Sequence, residues 1–210
     1  MIKLETKFSS TIVIQDVLLP NTWFIDIRLV ANSSVNQKNY NIGLDRIEFY
    51  VNEILDNSIL LSPESGKLFN QPIGLNGCVH MLPDEPYDHL IGIILYTKLN
   101  SILEKVFFVE SIAVNSYQGD NITHTYESSD GDMNTLRTII DDPKLNLYID
   151  YWYETNVSYF KLDFNGLQRI TEKWDDLGFP YEGNDNNKII PLTNFKPRIV
   201  PDDDDSPTVA

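Results

Sequence analysis

The chain has 210 residues with 31 acidic and 16 basic side chains, a formal net charge of −15, so it repels phosphate backbones and anionic lipid at long range. Hydrophobic residues make up 42% and aromatics 11%, which excludes a disordered chain and leaves enough apolar surface for a core. The single cysteine, Cys78, excludes an internal disulfide and a cysteine-rich zinc module.

Along the chain, Met1 to Phe8 has positive charges but no apolar run behind them, so a signal peptide is not expected. Thr11 to Leu19 and Trp23 to Ala31 read as two strands, with Pro20, Asn21 and Thr22 as the turn between them. In the second, Trp23, Ile25, Ile27 and Leu29 alternate with polar Asp26 and Arg28, the pattern of a half-buried strand. The polar stretch Asn32 to Asn41 reads as an exposed loop. Leu44, Ile47, Val51, Ile54 and Leu55 then recur at helical spacing, which predicts an amphipathic helix over about 44–56.

Ser62 to Pro86, rich in Pro, Gly and Asn, reads as a long irregular connection. His89 to Tyr96 and Val106 to Val114 are apolar enough for buried strands, although helical periodicity also fits Leu90 to Leu103. The longest apolar stretch, Leu90 to Tyr96, is seven residues, far short of the ~20 a membrane helix needs. Ile122 to Glu127 alternates as a short strand. Leu145, Leu147, Ile149, Tyr151 and Tyr153 also alternate, predicting a strand paired through Glu154–Asn156 with a second carrying Phe160, Leu162 and Phe164. Tyr148 and Trp152 would share its opposite face, as a surface aromatic patch or a second buried layer. Leu167, Ile170, Trp174 and Leu177 predict a second amphipathic helix over 166–177, ended by Gly178. Ile189 to Leu192 reads as an edge strand, and 197–210, with Asp202, Asp203, Asp204 and Asp205, as an acidic, proline-bearing tail.

The expected architecture is α+β, a mainly antiparallel sheet with the two amphipathic helices packed on it. Residues 1–196 are expected to form one domain, with any subdivision near 62–86.

Signatures of nucleotide binding and of serine nucleophile elbows are absent. Cys78 with His80, His89 or His124 would make a nucleophilic pair only if the fold joined them, and the spacing reads more simply as a semi-buried thiol and ordinary histidines. His80, Asp84, Glu85, Asp88 and His89 are metal-ligand types, but between Pro83 and Pro86 the acidic ones read as a solvated turn. Asp130-Gly131-Asp132 lacks the remaining ligands of a calcium loop. No catalytic residue, metal or cofactor is therefore assigned.

Carboxylates combined with aromatic residues favour interaction chemistry, with Asp84, Glu85, Asp88, Tyr148, Trp152 and Asp202 to Asp205 as the candidate protein-binding set. The expected partners are proteins, including ones with a basic surface, and not duplex nucleic acid or membrane. An oligomer or larger assembly is compatible with this composition. With 23 Ile and 20 Asn against 3 Ala and 5 Arg, the usage matches AT-rich codons and suggests a bacteriophage or other virus. The expectation is a non-enzymatic viral structural or assembly component in the cytoplasm of the producing or host cell, or within a virion. The alternatives are an acidic nucleic-acid mimic that inhibits a host protein, a single-stranded-DNA-binding protein with an acidic tail, and a metal-dependent nuclease using Asp142 and Lys144.

Overall fold

The structure is a computed structural model that describes residues 1–65, 77–119, 122–127, 136–137, 143–163 and 166–183. Two long strands, β1 (Ile2–Ile14) and β2 (Val17–Ala31), open the chain as an antiparallel hairpin. Its turn is Gln15-Asp16, both at positive φ (49° and 62°), the backbone sign that a tight two-residue hairpin loop requires. The expected turn at Pro20 is therefore misplaced. Pro20 lies inside β2 opposite Thr11, and β5 joins the other edge of β2 only from Trp23 onward, so the missing N–H has no ladder to break. The predicted alternation holds, with Trp23, Ile25, Ile27 and Leu29 buried and the residues between them exposed.

Helix α1 (Gln37–Phe49) starts earlier than its apolar stripe, because the Asn36 side chain accepts the Asn39 amide at 2.7 Å and so caps it within the stretch read as a loop. It runs on into a π-helical turn, Tyr50–Leu55. Two short strands follow, β3 (Ser58–Leu61) parallel to β1 and β4 (Val79–Met81) parallel to β3. Next, α2 (Asp88–Ile102) replaces the strand expected at 89–96. Of its 15 residues only His89 is exposed, and a helix buried on all sides shows the same continuous apolar run as a buried strand.

Strands β5 (Phe107–Ser116) and β6 (His124–Glu127) lie where expected. The strand expected at 145–153 is instead a 3₁₀ turn, Pro143–Leu145, followed by α3 (Asn146–Tyr153), since a dense aromatic run of this length satisfies both periods. Conversely, the helix expected at 166–177 is β8 (Gly166–Glu172), paired antiparallel with β7 (Val157–Asp163), followed by a turn carrying Trp174 and Leu177. Seven cross-strand pairs, Val157↔Glu172 through Asp163↔Gly166, outweigh an apolar spacing shared by strand and turn. Gly178, at φ 87°, does end that turn.

The eight strands form one sheet in the order β6-β5-β2-β1-β3-β4-β7-β8, mostly antiparallel, so the α+β architecture stands. The main core, from Phe8 and Trp23 to Ile112 and Trp152, includes residues from α1, α2 and α3. A smaller cluster gathers Val13, Ile59, Leu61, Val79 and Met81. The edge strand expected at 189–192 and the tail at 197–210 lie outside the described residues. Among the described residues no helix is long and apolar enough to cross a membrane.

Candidate functional site

The end of the first hairpin and the start of α2 enclose a cleft of about 410 Å³. Ile12, Ile14 and Leu19 from β1 and β2 supply apolar wall, while Asp88, His89 and His124 supply the polar groups. An apolar cleft with a few converging polar side chains is the usual form of a small-molecule site.

Asp88, the first residue of α2, is 7% exposed. One oxygen, Oδ1, accepts a hydrogen bond from Ser116 Oγ at 2.7 Å, and Ser116 Oγ in turn accepts from Asn21 Nδ2 at 3.0 Å. Asn21 is itself buried in mid-strand, and its Oδ1 accepts the Thr22 and Gln118 amides at 2.8 and 3.1 Å. This chain of bonds fixes the carboxylate. The other oxygen, Oδ2, is buried and has no hydrogen-bond partner among the described residues. Gly119 also lines the cleft and passes so close that a Cβ there would stand 2.2 Å from Oδ2, so only glycine fits beside that oxygen. Carboxylates at a helix N-terminus gain from the helix dipole, but a buried one still demands a donor.

Around this carboxylate, the His89 and His124 rings lie 6.1 Å apart between centroids, and Tyr87 lies nearly parallel to His89 at 6.1 Å. The Tyr87 hydroxyl donates to Glu85 Oε2 at 2.6 Å, which raises its pKa. Tyr126 donates to the His89 carbonyl at 2.5 Å and seats its ring where a Cβ on Gly92 would stand 2.5 Å from Cε2, so β6 is held on α2.

A second polar group lies inside the core. The Lys98 ammonium, fully buried, donates to the carbonyls of Glu154 and Asn156, both at 2.8 Å, beyond the C-terminus of α3. Burial pulls its pKa down to about 7, with the Glu154 carboxylate opposing. His80 Nδ1 lies 2.8 Å from the Tyr151 hydroxyl and Nε2 lies 3.1 Å from the Ile54 carbonyl, at the end of the π-helical turn. Desolvation lowers the His80 pKa to about 4. Both side chains tie backbone ends together in the core, away from the cleft.

The sequence-predicted residues scatter. Asp84 is exposed, Glu85 is bonded to Tyr87, and Asp88 turns inward rather than toward a protein surface. Trp152 is fully buried and donates to the Met81 carbonyl at 3.1 Å, so it forms no surface patch with Tyr148, which packs half-buried on the smaller cluster. Helical rather than extended geometry at 146–153 causes that difference. Asp202 to Asp205, Asp130 to Asp132 and Asp142 lie outside the described residues, and Lys144 is exposed on the 3₁₀ turn. His80 sits in the core rather than beside Asp84 and His89, and among the described residues no three His, Cys, Asp or Glu side chains are grouped to hold a metal. Asn21, Ser116 and Gly119 emerge as site residues only from the fold, and His124, weighed in the sequence only as a partner for Cys78, joins them at the cleft. The one signal for Asn21 was an amide on the apolar face of a strand.

No family model matches the sequence, and no curated protein matches it. Among solved structures, two catalytic-residue mutants of Plasmodium vivax 6-pyruvoyltetrahydropterin synthase are similar at 12% identity and TM-score 0.38, covering 60% of this chain and 94% of theirs. At that TM-score the likeness transfers neither substrate nor residue roles. Both are structures of an enzyme, a finding that stands against the expectation of a non-enzymatic structural or assembly protein.

Proposed function

We propose that the chain is an enzyme acting on a small organic molecule that carries an amino or amidine group, held in the cleft at the start of α2. The observation that carries this reading is the buried Asp88 Oδ2, fixed in position and without a hydrogen-bond partner among the described residues. A ligand N–H supplies the missing donor, and a charge-assisted bond of this kind is about twice as strong as a neutral one. His89 and His124, at the same cleft, are the proton-transfer pair: one accepts a proton from the held molecule while the other returns one. Ile12, Ile14 and Leu19 exclude water from the apolar part of the ligand.

Benzamidine, a flat amidinium of suitable size, tests the anchor. Titration followed by NMR is expected to shift the imidazole signals of His89 and His124 saturably, leaving His80 unmoved. Asp88→Asn keeps an acceptor for Ser116 but loses the charge, and is expected to weaken binding about tenfold or more. Equal binding by the folded Asp88→Asn protein, or shifts that never saturate, would overturn the assignment.

A further inference from the structure

A second cleft, of about 470 Å³, borders the first across Asn21, which lines both. Its lining includes the hydroxyl residues Ser9, Ser10, Thr11 and Thr22, together with Asn57 and Tyr117. Among its described lining residues there is no Lys, Arg, His, Asp or Glu. In a chain that is 22% charged, a cleft of this size without an ionic side chain selects against ions.

Its hydrogen-bonding capacity is only partly used. Ser9 Oγ and Thr22 Oγ1 lie 2.8 Å apart; one hydrogen serves that contact, so the second hydroxyl hydrogen and further lone pairs remain. Asn57 gives one amide hydrogen to Asp56 Oδ2 at 2.7 Å and retains the other. The Asp56 carboxylate, just outside the lining, is already engaged at both oxygens, since Oδ1 accepts the Ser9 amide at 2.8 Å. Groups that both donate and accept, without charge, match the hydroxyls of a sugar, which do the same. Tyr117 adds the apolar element: the residue is 79% exposed, yet its ring is steadied edge-on by Phe24 at 5.5 Å. An amphipathic ring of this kind covers the C–H face of a pyranose while its polar edge stays wet.

We propose that this cleft is a second ligand site, for a neutral polyhydroxylated molecule of monosaccharide size. It uses no ionic or imidazole group of the first site, so each assignment stands or fails separately. Its test is an NMR titration of the full chain with D-glucose and D-galactose, with glucose 6-phosphate as the charged counterpart. Saturable shifts are expected at the amides of Ser9, Ser10, Thr22, Asn57 and Tyr117 with at least one neutral sugar. Binding of glucose 6-phosphate should be about tenfold weaker, because the chain is acidic and the described lining residues offer the phosphate no cation. Tyr117→Ala, at an exposed position that leaves the fold intact, should weaken the neutral sugar about tenfold; Thr22→Val is the independent variant, removing a lining hydroxyl from the strand, and should weaken it as well. The site is overturned if no neutral sugar saturates, if glucose 6-phosphate binds as tightly, or if both variants bind like the wild type.

Discussion

Lys98 and His80 place two basic groups where water does not reach, and both titrate below their ordinary ranges. In the unfolded chain His80 would take up a proton near 6.5, but folded it does so only near 4; between those values the unfolded state binds the extra proton, so stability falls as pH drops from 6.5 to 4. Lys98 acts in the same sense higher up: folded near 7 and unfolded near 10.5, it makes stability rise from pH 7 toward 10. Above that, the buried phenols of Tyr50 and Tyr151, raised by desolvation, reverse the slope. Urea denaturation from pH 4 to 10 is expected to show both rises; Lys98→Met should flatten the upper one and His80→Gln the lower. Arg46 is a different case, buried yet bonded to the carbonyls of Phe179 and Ile102 and to Glu104, and stacked 3.7 Å from the Tyr181 ring centroid. Arg46→Ala strips these carbonyls of their donor and should cost about 3 kcal/mol or more in urea denaturation. Glu104→Gln, at the half-exposed end of the pair, should cost at most about 1 kcal/mol.

At the scale of elements, legibility followed how many physical signals agreed. β2 was readable because alternation, β-branched residues and one buried face all point to a strand. α2 and α3 were not, because an apolar run without polar punctuation has no period to read, and β8 was not, because its spacing of 3 and 4 continued by coincidence through Trp174 into the following turn. The site shows the same limit. Asp88 stood out as one of three neighbouring carboxylates, but only the fold brings Ser116, Gly119 and His124 to it from across the sheet. The cap of α1 gives a prediction at this scale: Asn36→Ala removes the acceptor for the Asn39 amide and should cost about 1 kcal/mol in thermal or urea denaturation. Gly119→Ala should disturb the cleft far more than the fold, since its Cβ meets the Asp88 carboxylate rather than the main core. The expected result is loss of benzamidine binding with a cooperative unfolding transition retained.

For the molecule as a whole, the net charge of −15 changes meaning once placed on the fold. Residues 84–132 hold nine acidic and two basic side chains, and three of those acids, Asp84, Glu85 and Asp88, stand at or beside the first cleft. The field there draws cations inward, so association of benzamidine should slow as salt rises while neutral-sugar binding in the second cleft should not change. The position of α2 in the chain has a further consequence, for synthesis on the ribosome. The hairpin β1–β2 is complete by Ala31, with Trp23, Ile25, Ile27 and Leu29 on one face, but the helix that helps cover that face ends at Ile102. At about 5–20 residues per second this interval lasts roughly 4–14 s. For those seconds a long, half-apolar ribbon waits without its cover, so newly made chains depend on whatever shields such ribbons in the cell, and slowing translation beyond Ala31 would lengthen that dependence.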